Sequence, residues 1–197
     1  MPTGGQVLSS LEAVVLAAGA GTRFGGAKLT SPWRGGRLID GAVAAALSGP
    51  VRTVTVVVGA DPAVAQALDR DPRLRLAHAI DHAQGMAASL RAGIAALPAD
   101  TAGAFVFLGD MPLIPTDILR PLALALAQGA RAAAPLWEGR RGHPVLFSST
   151  LFPDLLALAG DLGAKSILDG LEGRLALVES PDEGVLFDVD FRLDSPR

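Results

Sequence analysis

Three clusters in this chain have the residue types and spacing to do chemistry together. They are a glycine loop with two cations, an acid closing an apolar run, and a pair of acids near the carboxyl end. Ala17-Ala18-Gly19-Ala20-Gly21-Thr22-Arg23-Phe24-Gly25-Gly26-Ala27-Lys28 sets four glycines, Arg23 and Lys28 directly after a β-branched stretch. Glycine lets the backbone approach an anion and aim its N–H groups at it, while Arg and Lys neutralise the charge. The loop therefore reads as a phosphate cradle, with a plain surface turn as the alternative. Two familiar phosphate loops do not fit. A dinucleotide fingerprint needs glycine where Phe24 stands, and an acid closing the second strand, where the chain has Val58-Gly59. A P-loop needs Lys and then Ser or Thr after its last glycine, whereas Gly26 is followed by Ala27 and Lys28 by Leu29.

Gly109-Asp110-Met111-Pro112 closes the apolar run 105–108. A carboxylate there either caps a turn before Pro112 or offers oxygen to a hard cation such as Mg²⁺. Phe187-Asp188-Val189-Asp190 ends the last predicted strand. On a regular strand Asp188 and Asp190 share a face, so both converge on one cation or one is a solvated strand end. Gly85-Met86-Ala87-Ala88-Ser89 opens a helix. Its free N–H groups could seat a base or a phosphate, and its small residues could equally be packing. Arg140-Arg141-Gly142-His143-Pro144 lies between two predicted strands, as a solvated hairpin tip or as a clamp for an acceptor phosphate, since Arg forks match phosphate oxygens. Only two of the 17 basic residues are lysines, Lys28 and Lys165. Either codon bias has replaced the rest, or these two mark places where a compact ammonium is needed. His78 and His82 have no acids at metal-ligand spacing and read as structural.

These groups need a scaffold, and the chain supplies one by alternation. Strands are predicted at 12–17, 53–58, 74–78, 104–108, 132–136, 145–147, 175–178 and 185–189. Helices are predicted at 40–48, 63–69, 86–97, 119–128, 151–159 and 164–171. Continuous apolar strands separated by helices suit a mostly parallel, mixed sheet covered on both faces. The fold class expected is α/β, a Rossmann-like three-layer α/β/α sandwich. No repeat, linker or composition break divides residues 1–197, so one domain with a core of about 11–192 is expected. Ligands of such sheets bind at the carboxyl ends of strands, which points to the loops after Ala17, Leu108 and Val189.

Composition narrows the function classes. Half of the 197 residues are apolar and 19% are charged, as in a globular protein. A net charge of −3 without a basic run argues against nucleic acid as the main partner. The absence of cysteine excludes disulfides, thiol catalysis and Cys-based zinc sites. No apolar run approaches the roughly 18 residues of a membrane span, and no leader pattern is evident. A cytoplasmic protein without membrane contact is expected.

Residues 16–29, LAAGAGTRFGGAKL, resemble the loop LAAGxGxRFGxxKL of the MobA-like nucleoside-triphosphate transferases, a nucleotide-diphospho-sugar transferase-like fold. The resemblance implies that Leu16, Ala17, Ala18, Gly19, Ala20, Gly21, Thr22 and Gly25 surround a nucleotide. It also implies that Arg23 and Lys28 hold the triphosphate, that Gly109 binds nucleotide, and that Asp110 binds a catalytic Mg²⁺. Asp188 and Asp190 match a family DxD pattern that supplies a second metal ligand, either acid serving, although DVDFRLDSP departs from DxDTPED after the second acid. GMAASLRAGI, RGHPVLF and GDLGA are similar to segments of the molybdenum cofactor cytidylyltransferase branch. There Gly85, Met86 and Ser89 would bind nucleotide, while Arg141, Gly142, His143, Pro144 and Asp161 would face the acceptor. The reaction implied is CTP plus molybdenum cofactor giving the cytosine dinucleotide form and pyrophosphate, with a molybdoenzyme or its chaperone downstream. Other readings are guanylyl transfer to the same acceptor, cytidylyl transfer to methylerythritol phosphate, or a non-catalytic cofactor carrier.

Overall fold

The apolar runs assemble into one eight-stranded sheet in the computed structural model, which describes residues 4–19, 21, 24–59, 61–68, 71–160 and 163–190. In chain order the main elements are α1 (Gly4–Ser9), β1 (Leu11–Ala17), β2 (Pro32–Trp33), β3 (Gly36–Arg37), α2 (Leu38–Ser48) and β4 (Val54–Val58). Then come α3 (Pro62–Ala67), β5 (Leu74–His78), α4 (Met86–Ala95), β6 (Gly103–Leu108) and α5 (Leu119–Ala127). The last are β7 (Ala132–Trp137), β8 (Arg140–Arg141), β9 (Val145–Ser148), α6 (Phe152–Leu156), α7 (Lys165–Asp169) and β10 (Leu175–Glu179). The sheet order is β10-β7-β9-β6-β1-β4-β5, with β8 paired to β7. β5, β4, β1 and β6 run parallel, and β9 enters antiparallel between β6 and β7.

Alternate side chains of the strands feed two layers of core. Val15, Phe105 and Phe107 pack with Ile39 of α2 and Leu122 of α5, whereas Val106 packs with Leu90 and Ile94 of α4 and Leu155 of α6 on the other face. Burial on both faces is why β1, β4 and β6 read as continuous apolar runs and not as alternating ones. The three-layer mixed sheet is the architecture expected. Among the described residues no helix is long and apolar enough to cross a membrane.

One predicted element is corrected. Residues 185–189 form no strand: Glu183–Leu186 is a 3-10 turn, and the chain then runs extended outside the sheet. Val185 and Val189 are fully buried, because the segment packs under the loops at the carboxyl end of the sheet. Their apolar spacing reports burial and not a ladder, so the shared-face argument for Asp188 and Asp190 does not apply. The short elements α1, β2, β3 and β8 are too brief to leave a periodic signal and lie outside the predicted set.

Candidate functional site

β1 sits between β4 and β6 at the middle of the sheet and delivers Ala17 and Ala18 to its carboxyl end. The loop that follows is anchored by the buried side chains of Phe24, Leu29 and Trp33. Gly21, Gly25 and Gly26 take left-handed φ values of 58°, 89° and 88°, a conformation costly for other residues. The Phe24 and Gly26 N–H groups both donate to the Gly21 carbonyl, at 3.0 and 3.1 Å. This folding turns the Lys28 side chain across the end of the sheet. Ala20, Thr22 and Arg23 lie outside the described residues, as does Asp161.

The Lys28 Nζ donates to Asp110 Oδ2 at 2.7 Å and lies 3.7 Å from Asp190 Oδ1. Three segments separate in sequence, 16–29, 109–112 and 187–190, therefore meet at one ammonium. Asp110 is held by its own turn. The Gly109 N–H donates to the Leu16 carbonyl at 2.9 Å, and the Met111 N–H to the Leu108 carbonyl at 3.2 Å. The C-terminal segment is tied to the same turn, since the Val189 N–H donates to the Asp110 carbonyl at 3.1 Å. Phe187 tilts against Trp33 with ring centroids 6.1 Å apart. Asp188 is exposed. Partial desolvation by the surrounding chain, followed by the like charges of Asp190 and Asp110, pushes its carboxyl above the ordinary carboxylate value, against a backbone hydrogen bond and Lys28.

A cavity of about 400 Å³ opens beside this cluster. Leu16, Ala17, Ala18, Gly19, Gly21, Lys28 and Asp110 form one side, and Gly85, Met86 and Ser89 the other. Gly25 and Gly109 shape their loops without lining it. His82, read from sequence as structural, is also on its wall. The reason is remote in sequence: a Cβ on Gly59 would come within 3.0 Å of His82 and 2.8 Å of the Ala18 Cβ, so glycine at 59 is what lets His82 close against the loop.

A second cavity, of about 460 Å³, adjoins the first across Leu16, Met86 and Leu108, which line both. Its walls are largely apolar, with Leu90, Val106 and Phe147, and its polar residues include Arg141, His143 and Lys165. Arg141 donates from Nη2 to Asp169 Oδ1 at 2.8 Å. The Gly142 and His143 N–H groups donate to the carbonyls of Pro135 at 2.9 Å and Val185 at 2.8 Å, which fixes the turn that leads through Pro144 into β9. The His143 Nδ1 is enclosed and, among the described residues, has no hydrogen-bond partner. Burial pushes this imidazole below its ordinary pKa, and Arg141 adds to the effect, while the Val106 backbone and Asp110 oppose it. Lys165, singled out in sequence only by its rarity, stands on the rim of this cavity.

The acid cluster can be tested for a divalent ion. Among the described residues no three His, Cys, Asp or Glu side chains gather into an all-protein cage. Mg²⁺ does not need one, because it commonly takes one or two carboxylates and completes its shell with waters and phosphate oxygens. Asp110 and Asp190 already share one cationic group, the Lys28 ammonium, so the all-oxygen donor set fits a hard cation. What the arrangement offers is a glycine-lined cleft whose lysine is shared by two carboxylates, and a second, largely apolar cleft that adjoins it.

Known proteins resemble this chain over most of its length. The chain is 27% identical over 183 residues to the molybdenum cofactor cytidylyltransferase of Escherichia coli (strain K12), covering 93% of this chain and 92% of that protein. It is 36% identical over 155 residues to the molybdenum cofactor guanylyltransferase of Cereibacter sphaeroides (strain ATCC 17029 / ATH 2.4.9), covering 78% and 74%. The crystal structure of Rv0371c from Mycobacterium tuberculosis H37Rv superposes with a TM-score of 0.81 at 25% identity, over 93% of this chain and 94% of that one. Residues 13–176 match the MobA-like NTP transferase domain, and the chain belongs to that family.

Proposed function

We propose that this protein transfers CMP from CTP to the terminal phosphate of molybdenum cofactor, in the cytoplasm, and releases pyrophosphate. The observation that carries the reading is the junction of two cavities at Leu16, Met86 and Leu108, with Lys28 and Asp110 on one side and Arg141 and His143 on the other. CTP occupies the first cavity, its triphosphate against the glycine loop, Arg23 and Lys28, and its base toward Gly85, Met86 and Ser89. The acceptor occupies the second, its heterocycle between apolar walls and its phosphate drawn by Arg141; the acceptor role of Asp161 rests on the sequence resemblance alone. The acceptor phosphate oxygen forms a bond to the α-phosphorus while the bond from that phosphorus to the bridging oxygen of pyrophosphate breaks. Positioning and charge neutralisation supply most of such a rate enhancement. Lys28 and Arg23 stabilise the charge that grows on pyrophosphate. Asp110 with Asp190, and Asp188 beside them, would hold Mg²⁺, which when bound neutralises charge around the α-phosphate. The dinucleotide product passes to a molybdoenzyme or its chaperone.

The guanylyltransferase relative supports a second reading, GMP transfer to the same acceptor. Pyrophosphate release is measured with Mg²⁺ and molybdenum cofactor, supplying CTP, GTP, ATP or UTP separately. Release with CTP alone is expected. Release with GTP alone replaces the first reading by the second, and no release with any nucleotide sinks both.

A further inference from the structure

The Lys28 side chain is 12% exposed, more enclosed than Asp110 at 29% or Asp190 at 46%, and it is aimed at the acids, not at open solvent. We infer that Lys28 is a built-in counter-cation, holding the acid pair closed to a divalent ion until a nucleotide triphosphate draws the ammonium away. This rests on the reading above that the triphosphate lies against Lys28.

The geometry sets up a competition. An ammonium 2.7 Å from Asp110 Oδ2 and 3.7 Å from Asp190 Oδ1 fills the space between the two carboxylates. A hard divalent ion needs those oxygens at about 2.0–2.1 Å, and it can share the space neither sterically nor electrostatically with a like charge. Metal entry without nucleotide would strip Lys28 of its acids and leave an enclosed ammonium uncompensated, a costly state. A triphosphate changes both sides of the exchange. Lys28 already lines the cavity that would receive it, so the ammonium gains phosphate oxygens as it leaves, and the freed carboxylates then require a cation. Metal and nucleotide thus favour each other's binding, by an amount that is the same measured from either side. Part of the role of Lys28 is therefore exercised before any chemistry, and a metal-first order of binding is disfavoured.

The test is Mn²⁺ binding to nucleotide-free protein, followed by the electron paramagnetic resonance signal of the free ion. Wild-type protein is expected to bind Mn²⁺ weakly. Lys28→Met, neutral and of similar length, is expected to bind it more tightly by a factor within the roughly 5- to 150-fold range of such couplings. Adding Asp110→Asn to Lys28→Met returns binding to the weak level. Lys28→Gln repeats the comparison if the Met variant is unstable. Tight Mn²⁺ binding by the wild type alone overturns the inference without any variant. So does a gain in Lys28→Met that survives Asp110→Asn, because the ion would then be bound elsewhere. Either failure, beside nucleotide-dependent pyrophosphate release by the wild type, leaves the transferase reading standing. Absence of release beside the expected Mn²⁺ results sinks that reading and keeps the competition.

Discussion

Gly41 lies directly against Pro112: a Cβ added at Gly41 would meet the Pro112 carbonyl oxygen at 2.4 Å and its Cα at 2.7 Å. Helix α2 is therefore the bed on which the turn carrying Asp110 rests. Neither atom is the end of a flexible side chain, so the turn itself must move to admit a methyl group. Gly41→Ala is expected to cost about 1–3 kcal/mol, as overpacking does, and to slow pyrophosphate release by displacing Asp110. Urea denaturation and turnover measured on the same preparation check it, and wild-type values in both would show that the turn yields freely.

Lys28→Ala is expected to lose turnover by about 10²- to 10³-fold, the usual effect of removing one preorganised group that stabilises transition-state charge. The variant should remain folded, because Lys28 packs among the acids of the site and is no part of the apolar core. Circular dichroism and single-turnover kinetics separate the two effects. Full activity would refute the role given to Lys28.

At the opposite end of β1, Glu12 is 1% exposed and accepts from Arg52 Nε at 2.7 Å, the Thr53 N–H at 2.8 Å and Thr53 Oγ1 at 2.7 Å. Arg52 keeps a second partner in Asp100, so its charge is not orphaned by loss of Glu12. The Thr53 N–H does lose its acceptor. Glu12→Ala is expected to destabilise by about 1–3 kcal/mol through that unsatisfied donor. Turnover at a temperature where the variant is folded should match wild type, since this cluster is remote from both cavities. A kinetic defect in the folded variant would contradict the assignment.

His143 has its folded pKa lowered, chiefly by burial. The folded protein resists protonating the ring, while the unfolded chain takes a proton near the ordinary value of about 6.5. Stability contributed by the neutral ring is thus fully present above that value and is lost as pH falls from it toward the depressed folded pKa. Thermal unfolding followed from pH 8 to pH 5 should show this decline in wild type and a shallower one in His143→Gln. Parallel curves would mean that the ring titrates normally.

The site was legible in the sequence to the extent that local chemistry writes it. The loop 16–29 combines a buried run, glycines that need positive φ, and Lys28, and each of these signals is confined to a few neighbouring residues. Asp110 was legible for the same reason, as an acid placed where an apolar strand stops. His82 was not, because its place on the cavity wall depends on the absence of a side chain at Gly59, across the sheet edge. The segment 185–189 misled because alternate burial arises from packing under loops as readily as from pairing in a sheet. That segment still reaches the Asp110 turn: its Val189 N–H is bonded to the Asp110 carbonyl. The sequence named the partners and misjudged the backbone between them.

The antiparallel course of β9 has a consequence for how such a protein changes substrate. Because β9 runs against β6 and β7, the stretch from the end of β7 to Val145 turns back on the same rim as the glycine loop. It needs no crossover helix, and its length is not set by the register of β1, β4 and β6. Lengthening a connection of that kind costs closure entropy that grows only with the logarithm of its size. On the proposed reading, divergence in what is accepted can therefore accumulate between residues 138 and 144 while the strands that carry the glycine loop stay fixed. On that reading, the molecule couples a donor half fixed by its parallel strands to a recipient half carried on one reversed strand.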